Sequence, residues 1–423
     1  MTENSPVYMQ LNLGITSSDL TASPNSLKQI GETQYKGRHF DFVVCKTIMS
    51  QERQGNASLG EIVIDGQKIL PVVPPRNYYF IVYRKGRQVI TRDLNPSDRL
   101  LGMFNSMGFP TKPPSERVKE IRKTLKLYKK NGLKTQILVS VYDMDPLIAA
   151  QLGRYVVKEV SNYPNFGGLI LDISCPHVNT GTGCADRKLT NKYILETREV
   201  AGKDVPILVK IAPKHYASQR SLEAVESGVD GVVLTNTLSV VPFTEQEHEG
   251  NLYTIPILSY GKGGVSGPLL KMITREIVEN TRNTLDSHGH KDAHIIATGG
   301  VSNRADALDL YNAGAPYVGV TTLLWELVLK KVTNPYQTCL KRLMTDQPDN
   351  FSERQLKHKM SLLFYRTWLG NDGPIFLRYD PQGKMNIVSK ETYARRGVIH
   401  LRRPIKRKDS TGVLGFEYST NPT

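Results

Sequence analysis

The sequence predicts an α/β protein folded as a (β/α)₈ TIM barrel with a C-terminal extension, and two patterns support this prediction. From about residue 135 onward, short apolar stretches alternate with longer stretches of helical period. The short stretches are apolar throughout, which is typical of parallel strands buried on both faces. An open doubly wound sheet is the alternative, but no G-x-G-x-x-G follows the first strand of a unit.

The predicted elements alternate in the order that a barrel requires. Seven strands are expected, at 42–46, 136–141, 168–173, 206–211, 231–235, 294–298 and 316–320. Four helices are expected between the later strands, at 146–161, 218–227, 267–283 and 304–312. This count approaches that of a closed eight-stranded barrel.

We expect the chain to divide into a barrel and an extension. The barrel occupies residues 1–340 with a basic insertion at about 111–134, and the extension occupies residues 345–423. The stretch "WLGNDGPIFLRYDPQGK" makes the extension turn-rich and poor in helical period, and a basic segment, 394–408, follows it. We expect this region to pack on the barrel.

The composition is that of a soluble globular protein. The 423 residues are 39% hydrophobic and 22% charged, and no apolar run approaches the length that crosses a bilayer. The N-terminus lacks the basic and apolar regions of a signal peptide, so a cytoplasmic protein without membrane contact is expected. The four cysteines (Cys45, Cys175, Cys184 and Cys339) show no C-x-x-C, which argues against a metal site or a disulfide framework.

The net charge of +15 leaves the kind of partner open. The basic segments 111–134 and 394–408 carry much of the excess, and they suit a nucleic acid or another anionic partner. A charged amphipathic helix and a solvated tail would explain the same segments. A basic protein also suits small anionic ligands.

Polar residues follow several of the predicted strands directly. Lys46, Cys175 and Lys210 stand at or just after strand ends, and so do Asn236-Thr237 and Gly299-Gly300. In a parallel barrel these strand ends meet at one rim, where the active sites of this fold are built. The sequence therefore predicts a functional site at that rim.

Two glycine-rich stretches late in the chain indicate a phosphate site. "YGKGGVSGPLL", 260–270, and "ATGGVSNRADAL", 297–308, place glycines just before a helix. Glycine lets backbone N–H groups approach an anion, and the start of a helix adds positive potential. A tight loop explains either stretch alone, but their order near the end of a barrel favours a phosphate-bearing cofactor.

Several short motifs together resemble a known family. They are "VVCKTIMSQERQGN", "FNSMGFP", "ISCPHVNTG", "VLTNT", "GGVSGPLL" and "ATGGVSNRADALDLYNAGA". They look like the dihydroorotate dehydrogenases and the related pyrimidine-reducing domain of dihydropyrimidine dehydrogenase, over about residues 8–335. The resemblance implies an FMN-dependent TIM barrel, a dehydrogenase acting on a CH–CH bond that oxidises dihydroorotate to orotate in pyrimidine biosynthesis.

The resemblance also assigns the catalytic base. Cys175 occupies the position of the S-C-P cysteine that is the base in soluble members. It would remove a proton from C5 of dihydroorotate while a hydride leaves C6 for N5 of the flavin. An ordinary thiol has a pKa of about 8.5 and is little ionised at neutral pH, so a nearby cation or hydrogen bond must assist. The glycine-rich residues after Cys175 would form a loop that closes over the substrate.

Two binding sites carry over from the family position by position. The residues that would hold the substrate carboxylate or ring are Lys46, Asn105, Met107, Gly108, Phe109, Asp172, His177, Asn236 and Thr237. The residues that would hold the flavin ring, the ribityl chain or the phosphate are Thr16, Ser17, Ser18, Lys46, Thr47, Lys210, Thr235, Ser266, Gly267, Gly299, Gly300, Thr321 and Thr322. Among these, Lys210 would lie near the N1–O2 edge of the flavin.

Three positions depart from the family pattern. Asp172 stands where the family usually has an asparagine, and an ionised aspartate accepts hydrogen bonds but donates none. His177 stands where dihydroorotate dehydrogenases usually have asparagine, and it matches the dihydropyrimidine dehydrogenase version. Thr321-Thr322 replaces the first residues of a "GTAL" phosphate segment, so the glycine of that segment is absent.

The departures leave several functions open beside dihydroorotate oxidation. One is the reduction of uracil or another pyrimidine, and another is the reduction of uridine in transfer RNA. A third is a catalytically inactive barrel that serves as a binding or structural protein. The carboxylate-binding loop favours dihydroorotate, since uracil has no carboxylate.

The electron acceptor and the assembly follow from the resemblance alone. Quinone-linked members usually have an N-terminal membrane-associated extension and a serine base, and NAD-linked members use an iron–sulfur partner subunit. The polar N-terminus and Cys175 differ from the first type, and the cysteine spacing offers no cluster site. The nearest match is a self-contained homodimer that takes a small pyrimidine and reoxidises its flavin with fumarate or another small oxidant.

Overall fold

The computed structural model describes residues 11–56, 62–64, 67–69, 71, 73, 75–174, 186–346, 351–371, 373–380, 384–394 and 397–398. Its strands are β1 (Asn12–Ile15), β2 (Gln34–Tyr35), β3 (Arg38–His39), β4 (Phe42–Val44), β5 (Ile48–Met49), β6 (Ile62–Ile64), β7 (Gln67–Ile69), β8 (Tyr78–Arg84), β9 (Arg87–Thr91), β10 (Arg99–Asn105), β11 (Gln136–Tyr142), β12 (Phe166–Leu171), β13 (Ile207–Ile211), β14 (Gly231–Leu234), β15 (Leu238–His248), β16 (Asn251–Pro256), β17 (Gly263–Ser266), β18 (His294–Thr298), β19 (Tyr317–Val320), β20 (Ile375–Tyr379), β21 (Met385–Val388) and β22 (Gly397–Val398). Its α-helices are α1 (Pro24–Glu32), α2 (Pro114–Lys130), α3 (Pro146–Val160), α4 (Arg187–Ala201), α5 (Ala217–Glu226), α6 (Lys271–Ser287), α7 (Arg304–Asn312), α8 (Thr322–Leu329), α9 (Pro335–Met344), α10 (Phe351–Trp368) and α11 (Lys390–Ala394). Two short 3₁₀ helices lie at Asp19–Thr21 and Pro268–Leu270.

Eight parallel strands form a closed barrel. In order around the ring they are β1, β4, β11, β12, β13, β14, β18 and β19. The ring closes because β19 pairs in parallel with β1, and β1 pairs in parallel with β4. One helix from α1 to α8 follows each of these strands in chain order. The prediction of a TIM barrel is therefore confirmed.

Apolar side chains cover both faces of the barrel wall, as the continuous apolar runs predict. One set of strand residues packs together in a small separate cluster that includes Val44, Leu138, Ile170 and Val233. The neighbouring residues on the same strands belong to the large core cluster that reaches the helices. Successive strand residues point to opposite faces, so these two clusters are the inside and the outside of the wall.

One barrel strand is absent from the sequence-based prediction. The seven predicted strands are all present, with ends shifted by a few residues at most. The eighth is β1, which has only four residues and reads "NLGI". A stretch this short does not show enough of the spacing of apolar residues by which a strand is recognised in a sequence. Its pairing with β4 and β19 is what makes it a barrel strand.

An outer sheet extends from the carboxyl-terminal rim of the barrel. It contains β21, β20, β15, β17, β10, β8 and β9 in that order; β16 also pairs with β15, and β22 pairs with β16. Its central strands come from two long insertions, one between β4 and α2 and one between β14 and α6. The two insertions meet where β10 pairs with β17, which sets Met103 opposite Ser266. Residues distant in sequence thus come together above the barrel.

The C-terminal region adds to this outer sheet. β20 pairs in parallel with β15, and β21 pairs antiparallel with β20. Before them comes α10, an 18-residue helix that the turn-rich pattern did not predict. Trp368 at its end is buried, and its indole N–H donates to the carbonyl of Pro213, 2.9 Å away. The ring also stacks on His215 at 4.3 Å, so the helix is attached to the loop after β13.

The basic segment 111–134 contains helix α2, which is amphipathic. Its apolar side, including Val118, Ile121 and Leu125, is buried in the core. Arg117 is also buried, and it forms an ion pair with Glu120 at 2.7 Å. Part of the positive charge of this segment therefore has a structural role. Among the helices in the described residues, none is both long enough and apolar enough to span a membrane.

Candidate active site

A cavity opens at the carboxyl ends of the barrel strands. Residues from all eight barrel strands, or from the loops that directly follow them, line it. Met103, Asn105 and Ser266 of the outer sheet complete the wall. This is the face at which TIM-barrel enzymes have their active sites.

Nearly all of the predicted site residues that the structure describes line this cavity. They are Thr16, Ser17, Ser18, Lys46, Thr47, Asn105, Met107, Phe109, Asp172, Lys210, Thr235, Asn236, Thr237, Ser266, Gly267, Gly299, Gly300, Thr321 and Thr322. Gly108 is the exception, because it lies behind the wall against Asn56. Cys175 and His177 lie outside the described residues, so their positions stay predictions.

Asp172 is the centre of a polar network on the cavity wall. It follows β12, and its side chain is only 4% exposed. Its Oδ2 accepts hydrogen bonds from the Nζ of Lys210 and the Oγ1 of Thr47, each at 3.2 Å. Its Oδ1 accepts from the Nδ2 of Asn236, also at 3.2 Å. Donors from three other strand ends therefore converge on one buried carboxylate.

The amide of Asn236 is oriented by its surroundings. Its Nδ2 donates to the Oγ of Ser174 at 3.1 Å as well as to Asp172. Its Oδ1 accepts the backbone N–H of Thr237 at 2.9 Å. Both amide hydrogens can therefore be used within the chain, while the oxygen keeps a further lone pair for a ligand.

A second ion pair lies across the cavity. The Nζ of Lys46 is 3.0 Å from the Oδ1 of Asp19, which belongs to the 3₁₀ helix after β1. The lysine side chain is 12% exposed, and the aspartate side chain is 36% exposed. The pair is therefore more open to solvent than the pair formed by Asp172 and Lys210.

The loop 105–109 is held in place from behind. The amide of Asn56 donates to the carbonyl of Ser106, and the backbone N–H of Asn56 donates to the carbonyl of Met107. Gly108 has φ of +69°, and a Cβ there would lie 2.7 Å from the side chain of Asn56. Only glycine meets both demands. The ring of Phe109 stacks on Tyr142 at 5.0 Å, which fixes the far side of the loop.

The other end of the cavity is rich in glycine and hydroxyl groups. Gly300 has φ of +86°, and a Cβ there would lie 2.3 Å from the Cα of Lys271. A glycine is therefore needed where this turn passes over the start of α6. The hydroxyls of Ser266 and Thr322 are 3.0 Å apart, and those of Thr16 and Thr321 are 2.6 Å apart.

The threonine at 321 is compatible with a phosphate site. Its φ is −139°, so this position does not need the conformational freedom of glycine. Its hydroxyl bonds to Thr16 and does not cap helix α8. The first-turn N–H groups of α8 are therefore left without a side-chain cap at the edge of the cavity. Such groups bind anions such as phosphate.

The cavity residues therefore fit FMN. The phosphate would lie among the glycines, the hydroxyls and the start of α8. The hydroxyl of Thr237 is buried and has no hydrogen-bond partner in the described part of the chain. A buried polar atom of this kind on a cavity wall is explained by a ligand that completes its hydrogen bonding.

The described cysteines are not candidates for the base. Cys45 directly precedes Lys46 in sequence, but its side chain is buried in the core. Burial raises the pKa of the Cys45 thiol to about 11 and that of Cys339 to about 12. Both thiols stay protonated at neutral pH and act as small apolar groups.

The structure adds cavity residues that sequence reasoning missed. They include Asp19, Ser140, Thr298 and Trp325. Ser140 lies within β11, and its hydroxyl is 2.9 Å from that of Thr47. For Ser140, the sequence offered one sign of a cavity position, which is a polar serine within a run of apolar residues. Asp19 gave none, because a charged residue in a loop is usually at the surface.

A closed parallel barrel with a cavity at the carboxyl-terminal rim has the architecture of a TIM-barrel enzyme. A family profile described as "Dihydroorotate dehydrogenase" matches residues 95–334, which is more than half of the 423-residue chain. The chain belongs to the dihydroorotate dehydrogenase family. The resemblance identified from the motifs is thereby confirmed.

Similar curated proteins carry the description "Dihydroorotate dehydrogenase B (NAD(+)), catalytic subunit". The protein from Staphylococcus carnosus is 29% identical over 211 residues, which cover 48% of this chain and 65% of the relative. The protein from Cutibacterium acnes is 30% identical over 168 residues, which cover 40% of this chain and 51% of the relative. The chain thus matches between half and two thirds of these relatives' lengths.

A solved structure shares the fold. It is the crystal structure of a dihydroorotate dehydrogenase from Eimeria tenella in complex with ferulenol. The match has a TM-score of 0.53 at 19% identity, and it covers 78% of this chain and 80% of the other. At this identity the match supports the fold alone.

Proposed function

We propose that this chain is an FMN-dependent oxidoreductase that oxidises the C5–C6 bond of a dihydropyrimidine, with dihydroorotate oxidation as the reference reaction. Family membership supports an oxidoreductase. The observation that carries the proposal is the rim cavity, which joins a phosphate-type end to a polar end containing Lys46, Asp172, Lys210 and Asn236. The pyrimidine would lie at the polar end.

The roles of the residues follow from their chemistry. Thr47, Asn236 and Thr237 would contact the ring or the flavin edge, since they lie around Asp172 on the cavity wall. Cys175 would take the proton from C5 as the base. When bound, FMN would accept the hydride that leaves C6. The loop at 105–109, fixed by Asn56, would limit the space beside the ring.

The first test is flavin content. Purified protein should be yellow and release FMN on denaturation. A preparation that is colourless, and stays so after incubation with FMN, would refute the cofactor assignment.

The second test concerns Cys175 as the catalytic base. In Cys175→Ala, flavin should remain bound while its reduction by dihydropyrimidines is lost. Cys184→Ala is the matched control and should retain reduction. Full reduction in Cys175→Ala would remove Cys175 from the mechanism. No reduction of the wild-type flavin by either dihydroorotate or dihydrouracil would favour the catalytically inactive barrel.

Two electron acceptors compete in this proposal. A homodimer that uses fumarate or another small oxidant is one arrangement. The relatives' name instead points to NAD⁺, used by an assembly in which this chain would be a catalytic subunit. Stopped-flow reoxidation of the reduced flavin by fumarate, NAD⁺ and oxygen separates them. Light scattering of the purified chain tests the dimer.

A further inference from the structure

The ionisable side chains that line the cavity balance in charge. Among the described lining residues they are Asp19, Lys46, Asp172 and Lys210. Two are cationic and two are anionic, so their formal charges sum to zero. A protein with a net charge of +15 thus has a rim cavity whose described walls carry no excess positive charge.

Each lysine of the cavity is already paired with a carboxylate of the chain itself. Lys46 is 3.0 Å from Asp19, and Lys210 is 3.2 Å from Asp172. A ligand carboxylate would either share Lys46 with Asp19 or lie close to the Asp172 carboxylate at Lys210. The second pair lies deeper, because the Asp172 side chain is 4% exposed and the Lys210 side chain is 17% exposed. Solvent screens like-charge repulsion least there.

The hydrogen-bonding groups around Asp172 also bear on which ligand the cavity can accept. The neighbouring donors, on Thr47, Lys210 and Asn236, are directed at its carboxylate. Lys210 keeps two further N–H donors, but its ammonium lies against the Asp172 carboxylate; the acceptors left for a ligand are the Asp172 oxygens and the Oδ1 of Asn236. The hydroxyl of Thr237, which has no hydrogen-bond partner among the described residues, can either donate or accept. This surface suits a ligand that presents N–H groups.

We propose that this cavity selects an uncharged pyrimidine ring, of the uracil or dihydrouracil type, over a ring that carries a carboxylate, and that Asp172 determines this specificity. This inference rests on the proposed function and narrows its substrate class. The ring N–H groups would donate to the Asp172 carboxylate or to the Asn236 oxygen. A carboxylated ring would add a negative charge near the Asp172 carboxylate, where the two described cations already face carboxylates of the chain. The same balance disfavours fumarate as an oxidant that enters this cavity.

The experiment compares the binding of uracil and orotate to the FMN-loaded full chain. Each ligand is titrated while the visible flavin spectrum is recorded, and calorimetry gives an independent Kd. We expect uracil to bind at least about tenfold more tightly than orotate, since like charges in a binding site are strongly disfavoured. In Asp172→Asn, orotate binding should strengthen by about tenfold or more, because Lys210 loses its internal partner. Asp286→Asn, the same charge change on an exposed part of α6, should leave both Kd values unchanged.

Each outcome decides the question. A preference for uracil that falls in Asp172→Asn supports the inference. Tighter binding of orotate to the wild type overturns it and leaves the proposed function standing, and this result does not require the variant to fold. A uracil preference that is unchanged in a folded Asp172→Asn removes Asp172 as its cause. Failure to bind FMN at all refutes the proposed function, and the inference with it.

Discussion

Replacing Lys210 by methionine keeps a long side chain but removes the cation that lies 3.2 Å from Asp172. The Asp172 carboxylate would then be buried on the cavity wall with only Thr47 and Asn236 as its described donors. Removing one partner of a buried ion pair costs about 3–5 kcal/mol, because the remaining charge is left uncompensated. Lys210 is partly open to the cavity, so we expect the lower end, about 3 kcal/mol.

The double variant Lys210→Met/Asp172→Asn separates this cost from lost packing. With both charges gone, the net change should be about 1 kcal/mol or less. The assay is urea unfolding followed by circular dichroism, on protein freed of bound small molecules so that ligand binding does not shift the stability. Lys28→Met is the control, since Lys28 pairs with Glu32 at 3.9 Å in an exposed position and should cost less than about 0.5 kcal/mol.

The reasoning fails if Lys210→Met costs less than about 1 kcal/mol. It also fails if the double variant is no more stable than Lys210→Met. Either result would mean that the ion pair of Lys210 with Asp172 does not contribute to the free energy of unfolding as argued.

Three further predictions concern other parts of the fold. Cys45 should resist alkylation by iodoacetamide at neutral pH in the native protein, because burial closes off the thiol and raises its pKa to about 11, so very little thiolate is present. Trp368→Ala should lower the free energy of unfolding by about 3–5 kcal/mol, since a buried indole and its hydrogen bond to Pro213 are lost. Gly300→Ala should weaken FMN binding and cost more than about 1 kcal/mol, because φ is +86° and the new Cβ would overlap Lys271.

Simple controls accompany these measurements. Rapid native-state labelling of Cys45, detected by mass spectrometry, would contradict its burial. Leu369→Ala changes an exposed neighbour and should cost under about 0.5 kcal/mol; an equal loss in both variants would contradict the anchoring role of Trp368. Gly289→Ala has a similar φ of +85° but nothing within 4 Å, so it isolates backbone strain. Equal effects at Gly289 and Gly300 would show that the overlap with Lys271 does not matter.

Two of the three positions that depart from the family pattern lie in the described residues, and they differ in their effect on the cavity. Thr321 replaces a glycine of the family pattern, but its backbone has φ of −139° and its hydroxyl bonds to Thr16. The phosphate end is therefore compatible with threonine. Asp172 does change the chemistry of the cavity, because it turns a wall position into an anionic acceptor paired with Lys210.

Local patterns in the sequence were sufficient for the fold class and for much of the site. Apolar strands alternating with helices predict a parallel barrel, and residues after strand ends must then share one rim. That is why Lys46, Lys210 and Gly299 could be placed together in advance. The strand β1 and the helix α10 were not predicted, because a four-residue strand and a helix next to a turn-rich stretch give too weak a local signal.

The electrostatic character of the cavity was decided only by the tertiary structure. Lys46 and Asp19 follow different barrel strands, while Lys210 lies in β13 and Asp172 follows β12. Spacing along the chain does not reveal such pairs, because Coulomb attraction depends on the distance between the charged atoms after the barrel has closed. The sequence alone showed two lysines that could hold an anion. The folded barrel shows that both already pair with a carboxylate of the chain, since the closed ring of strands brings the lysine nitrogens within 3.0 and 3.2 Å of the carboxylate oxygens.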